Sequence, residues 1–182
     1  MSARAFLDMA ARMLDAYDVG RMSALHAGAF GIGPDGEEGA ALKARTLDGG
    51  FSRGWREWEV ALRLNLARLR AARLGRDVES MPEAPSSPSD AAAAAARAME
   101  AENPLEGEAV IDRARWNAAE SMQGADVFHP RAVFAYLVKL MILERQASFQ
   151  AEAGFSQYRA LYDAILERHR ASGEESTGEE PK

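Results

Sequence analysis

The chain contains no cysteine, so it can form neither a disulfide nor a thiolate metal site. Nowhere does it hold the roughly 18 consecutive apolar residues that a membrane-spanning helix needs. Met1 to Leu14 has no continuous apolar centre, because Arg4, Asp8 and Arg12 interrupt it. It therefore reads as a first helix rather than a signal peptide. Histidine is scarce. His26, His129 and His169 fall on three different predicted elements, none with a second ligand one helical turn away. No Glu-x-x-His pair of the di-iron bundle type occurs, and no Gly-x-Ser-x-Gly elbow. No cofactor or metal site is expected. Active sites need converging titratable groups, and their lack predicts a protein that is not an enzyme. Positive charge is also short. The formal net charge is −6 and the pI is near 5.2, which argues against nucleic acid or anionic lipid as a general partner.

Helix-forming residues are plentiful, and apolar residues make up 47% of the chain. Ser2 is placed to cap a first helix, followed at helical spacing by Phe6, Met9, Ala10, Met13, Leu14 and Tyr17. A short second turn is expected around Gly20 to His26. Residues 27–50 are glycine-rich and read as a loop. Gly31 and Gly33 hint at a phosphate cradle, but no strand precedes them and no Gly-Lys-Ser/Thr ends the loop. The longest helix is predicted from Ser52 to Leu74, with Gly75 as its C′ residue. Trp55, Trp58, Leu62, Leu66 and Leu69 make one apolar stripe; Val60, Leu64, Ala67 and Ala71 make another. Two stripes predict a central helix packed on two sides.

Residues 78–90 carry three prolines within seven residues (Pro82, Pro85 and Pro88) and read as a linker. Ala91 to Ala96 open another helix, capped by Ser89 or Asp90. Alanine buries little area, so this helix is expected either to be held by Met99 or to dock loosely. Asn103, Pro104 and Glu106 then form a strong start signal: cap, first helical position and third position. That helix is predicted to reach Met122, with Leu105, Ala109, Asp112, Trp116 and Ala119 facing inward. His129 and Pro130 start the next helix, which runs to Ala153. Val133, Phe134, Leu137, Val138, Leu140, Met141, Ile142 and Leu143 cover most of its circumference. A last helix over 156–168 would turn Tyr158, Leu161, Tyr162 and Ile165 inward. The pattern predicts an all-α protein, an irregular bundle of about six helices. Residues 1–77 form a first lobe, 78–90 a linker, 91–170 a second lobe and 171–182 a disordered acidic tail.

Two sets of charged residues stand out. Asp112 sits mid-stripe, where a carboxylate is costly without a partner. Glu144 and Arg145 lie on or beside the next helix's apolar face. A structural ion network is therefore expected to join Asp112 to Arg145, with Glu144 and Arg113. The second set is Arg56, Arg63 and Arg70, which recur every seven residues as a basic stripe. Glu59, four residues before Arg63, offers a favourable pair. The stripe reads either as a solvated edge or as a docking surface for an acidic partner.

Three stretches carry a resemblance: WREWEVALRLNLARLRAARLGRD at 55–77, NPLEGEAVIDRARW at 103–116 and YLVKLMILER at 136–145. Together they resemble an uncharacterised bacterial family, a domain of unknown function encoded among the subunits of V/A-type ATPases. The second stretch is more distantly similar to the C (or d) subunit of V-type ATPases, an all-helical funnel joining the central stalk to the rotor ring. The resemblance implies a non-catalytic accessory or central-stalk-like subunit whose partners are other ATPase subunits. It would be cytoplasmic and reach the membrane only through the complex. Asp112, Arg113 and Trp116 would then be framework positions. The competing reading is a free-standing helical adaptor or regulator acting through protein–protein contacts at Arg56, Arg63 and Arg70.

Overall fold

The computed structural model describes residues 1–28, 50–84, 89–149, 159 and 161–165. Among these residues every regular element is α-helical: α1 (Ala3–Ala10), α2 (Ala16–Gly28), α3 (Gly50–Arg73), α4 (Ser89–Glu100), α5 (Pro104–Gln123) and α6 (Pro130–Ser148). The chain divides into two compact units, Met1–Glu144 and Arg145–Lys182. The protein is an all-α helical bundle, and no described helix is long and apolar enough to cross a membrane.

Local chemistry sets the helix ends. Ser2 Oγ accepts from the Ala5 N–H at 3.1 Å and caps α1. The predicted stripe of Phe6 to Tyr17 does not continue as one helix. Asp15 accepts from the Asp18 N–H at 2.8 Å and starts α2 afresh, leaving Met9, Met13 and Tyr17 exposed. α2 is consequently a full helix rather than the short turn expected. Gly75, at φ +65°, ends α3. The Arg76 N–H reaches back to the Ala71 carbonyl and the Gly75 N–H to that of Ala72, a Schellman closure that needs a left-handed residue at Gly75. Asn103 Oδ1 accepts from the Glu106 N–H at 2.9 Å, with Pro104 at the first turn of α5.

The core of the first unit centres on α3. Phe51, Trp55, Trp58, Ala61, Leu62 and Leu66 are buried. Burying each large apolar side chain of this kind contributes roughly 1.5–3 kcal/mol. The second predicted stripe is weaker, because Val60 is 43% exposed. α3 packs on α4 and α5, α4 packs on α5, and α1 packs on α2. α6 joins through Phe134, whose ring stacks on Phe51 at 5.9 Å, and through Tyr136, 4.7 Å from Phe6. Lys139 of α6 lies 5.1 Å from the Trp116 ring centroid and pairs with Glu120 on α5.

Of the two expectations for the alanine helix α4, the structure has the first: Met99 packs against the core and the helix is held. Ala91, Ala94 and Ala95 are fully buried. Their small side chains let backbones approach closely. At Gly107 of α5 an added Cβ would meet the Ala98 carbonyl oxygen at 2.9 Å, so only glycine fits that crossing. Asp90, in the first turn of α4, accepts the Trp58 indole N–H at 2.9 Å.

The division between units falls after Glu144 rather than at the proline-rich segment. Residues 85–88 of that segment lie outside the described residues; residues 78–84 follow α3. Arg68 helps fold the latter by donating to the carbonyls of Val78, Met81 and Pro82. The face of α5 is also rotated from the expected one. Gly107, Ile111, Asp112, Arg115, Ala118 and Ala119 are buried, whereas Leu105 is 62% exposed and Ala109 is exposed.

In the second unit, Arg145 lies over the Phe149 ring at 4.8 Å. Leu161, Tyr162 and Ile165 are exposed rather than turned inward. The glycine-rich stretch at 29–49 and the acidic tail at 171–182 lie outside the described residues.

Candidate functional site

Four charged side chains meet where α3 crosses α5. Glu59 lies on α3 between Trp55 and Leu62, so the same helical face that buries the tryptophan and the leucine buries the carboxylate. It is 4% exposed. On α5, Asp112 is 1% exposed and Arg115, one turn later, 7%. Arg115 donates from Nε to Glu59 Oε1 at 2.6 Å and from Nη2 to Glu59 Oε2 at 3.3 Å. This is a two-pronged contact that matches the planar fork to the carboxylate. Arg115 Nη1 reaches Asp112 Oδ1 at 3.3 Å. Arg63 closes the cluster from the solvent side, with Nη2 at 3.2 Å from Glu59 Oε2.

Two carboxylates face two guanidinium groups, so the cluster is neutral as a whole. Burial disfavours the Arg115 cation, but the hydrogen bond and charge of Glu59, followed by Asp112, outweigh that cost. The Arg115 pKa is raised above its ordinary value. Its charge is therefore fixed at any ordinary pH. With both Glu59 oxygens held by guanidinium N–H groups, the arrangement suits a clamp between helices better than proton transfer.

The structure distributes the residues singled out by sequence as follows. Asp112 is buried and partnered by Arg115. Arg113, the next residue, faces solvent on α5. Glu144 accepts the Ala3 N–H at 2.8 Å, beside the N-terminal end of α1, where a carboxylate favours the helix dipole. Arg145 belongs to the second unit. The network at Asp112 is thus built from Glu59, Arg115 and Arg63 rather than from Glu144 and Arg113. Of the basic stripe, Arg56 and Arg70 are exposed, while Arg63 is half-buried against Glu59.

Glu59 pairs with Arg63 as its spacing predicts, but its burial and its contact with Arg115 are what sequence reasoning missed, together with Arg115 itself. The position of Glu59 on the Trp55–Leu62 face was the available signal for burial. Arg115 is three residues from Asp112 and four from Ile111 and Ala119, which places it on the buried face of α5.

Two grooves flank this core. One, of about 430 Å³, is lined by Leu66, Arg70, Arg73, Leu74, Met99 and Ile111 among others. The other, of about 670 Å³, is a shallower surface between α4 and α5 that includes Arg97 and Arg113. No group of three metal-ligating side chains comes together among the described residues. His129 Nδ1 accepts the Arg131 N–H at 3.2 Å, a helix-start role. Compared with known proteins, the chain has no significant match to a family model, a curated protein or a solved structure.

Proposed function

We propose that this protein is a non-catalytic helical framework subunit of a bacterial V/A-type ATPase, holding or coupling parts of the complex through rigid packing. One observation carries the reading. The stretches 55–77 and 103–116, which resemble the ATPase-associated family, cover most of α3 and α5, and these helices meet at the Glu59–Arg115 pair. The residues of the resemblance thus supply the core and its ion clamp. A protein whose characteristic residues build a rigid bundle is suited to transmitting force or fixing distances. In this role it binds no nucleotide itself, its partners are central-stalk or rotor-side subunits, and it sits on the cytoplasmic side of the membrane, peripheral to it.

The test is affinity purification of the tagged chain from gently solubilised membranes of its source. Recovery of the catalytic and rotor ATPase subunits in fixed ratio is the expected result. Recovery of soluble proteins alone would reject the assignment.

The exposure of Arg56 and Arg70 on α3 favours a second reading, a free-standing adaptor using that edge. Reversing both charges should then abolish partner capture and leave helicity unchanged. Undiminished capture removes the edge from consideration.

A further inference from the structure

Two buried polar atoms near the start of α3 have no hydrogen-bond partner among the described residues. Ser52 is fully buried and its Oγ is unpaired. Trp55 is 2% exposed and its indole N–H is unpaired. Elsewhere α3 satisfies groups of the same kind. The Trp58 indole donates to Asp90 Oδ2 at 2.9 Å, and Asn65 Nδ2 donates to the Ala61 carbonyl at 2.8 Å. A serine within a helix commonly donates back to a carbonyl one turn earlier, and Ser52 does not. Buried polar atoms without a protein partner are few in native folds, and bound water is a standard way of satisfying them.

Position brings the two atoms onto one face. Ser52 and Trp55 are three residues apart on one helix, which puts their Cβ atoms about 5–6 Å apart. Helical side chains tilt toward the N-terminus, so the long side chain of Trp55 leans back over the turn that carries Ser52. A water that bridges two groups spans about 4.5–5.5 Å between them, two hydrogen bonds meeting at a bent angle. The spacing suits one bridging molecule. Chemistry selects water as that molecule. The indole N–H only donates, whereas a hydroxyl both donates and accepts, and water can meet both. An ion would bring uncompensated charge into the interior. Glu59, the carboxylate on the same helical face, is already held by Arg63 and Arg115. Neither groove described above is lined by Ser52 or Trp55.

We propose that an internal water binds at the start of α3, bridging Ser52 Oγ and Trp55 Nε1. It accepts the indole N–H and shares a second hydrogen bond with the hydroxyl. Trp55 and Trp58 stack with ring centroids 5.8 Å apart. Asp90 orients one of these indoles and the water orients the other, so the stacked pair is fixed at both nitrogens. The site stands on these two atoms, independently of the ATPase assignment and of the ion cluster.

The experiment is a crystal structure of the full chain at a resolution that shows ordered water. The expected result is one fully occupied water within about 3.2 Å of both Ser52 Oγ and Trp55 Nε1, present in every copy of the chain in the crystal. Four outcomes overturn the proposal. A direct bond between the hydroxyl and the indole would leave no place for a bridge. Separate waters, one on each atom, would replace it by two unconnected sites. A protein acceptor for the indole from another segment of the chain would make water unnecessary. Both atoms unpaired, with no water at either, would show a dry core that tolerates them.

Discussion

The long helix α3 holds its two neighbours by different means. Against α5 it places a four-member ion cluster, Glu59 and Arg63 with Asp112 and Arg115, embedded beside Trp55 and Leu62. Against α4 it meets fully buried alanines and two hydrogen bonds, from the Trp58 indole to the Asp90 carboxylate and from Arg73 to the Met99 carbonyl. The first contact gains little net energy, because desolvating the charges consumes most of their attraction. It does penalise every misaligned register, since a shifted α5 would leave a buried charge alone. The second contact works by proximity. Small side chains allow dense backbone packing, and its tolerance is set by space rather than by charge. One helix pair is thus sensitive to removal of atoms and the other to their addition.

The largest effect should come from the ionic side. Arg115→Met takes from the buried Glu59 and Asp112 the cation they share, leaving Glu59 with the half-buried Arg63, and should destabilise the fold by about 3–5 kcal/mol in urea unfolding. Arg115 has a raised pKa, so its charge stabilises at every pH below the ordinary arginine range and is lost only as pH rises above it. The loss on substitution should therefore carry no contribution from arginine titration near neutrality. Replacing Glu59, Asp112 and Arg115 together by Met, Leu and Met should recover stability to within about 1 kcal/mol of the native chain or exceed it. If the triple variant were as unstable as Arg115→Met, the cluster would be a net source of stability rather than of register.

On the far side of the alanine helix, where α4 crosses α5, the informative change adds one carbon. Gly107→Ala puts a Cβ 2.9 Å from the Ala98 carbonyl oxygen, a backbone atom that cannot swing away. The expected cost is about 1–3 kcal/mol from overpacking, despite the better helix propensity of alanine. An increase in stability would show that α4 can slide, and with it that the alanine contact is as loose as its composition suggested. Asp90→Ala probes one of the two polar links between α3 and α4. It removes the acceptor of the Trp58 indole and should cost about 1 kcal/mol by thermal unfolding, because Asp90 itself is exposed and water can replace it. A loss as large as that of Arg115→Met would erase the distinction between the two faces.

Much of the helical framework was legible in the sequence because its signals are local. Ser2, Gly75, Asn103 and Pro104 act within a turn of themselves, and each does what its chemistry dictates. The burial of Asp112 could be read from its place amid apolar neighbours. The contact across helices could not, because Glu59 and Arg115 meet 56 positions apart, and a helical wheel does not say which helix will cross it. Propensity leaves the seating of α4 open between holding and loose docking, because that seating depends on the gap left by Gly107 and on packing against α3. The prolines at 82, 85 and 88 suggest a boundary because composition does not say which side chains will bind a segment's carbonyls. Arg68, donating three hydrogen bonds to the carbonyls of 78–82, turns this segment into part of the first unit.

The smallest expected effect tests how sharply the clamp ends. Asp112 and Arg113 are adjacent, yet one is 1% exposed and the other faces solvent. The turn of an α-helix, about 100° per residue, is enough to carry the second side chain off the buried face. Arg113→Ala should therefore change stability by no more than about 0.5 kcal/mol, as exposed substitutions do, whereas Asp112→Ala should lose about 1.5–3 kcal/mol with its hydrogen bond to Arg115. Both are read by the same urea titration. Equal losses at the two positions would mean that α5 is rotated from the orientation described, bringing Arg113 into the cluster. A difference of more than about 1 kcal/mol would locate the edge of the clamp between two consecutive residues.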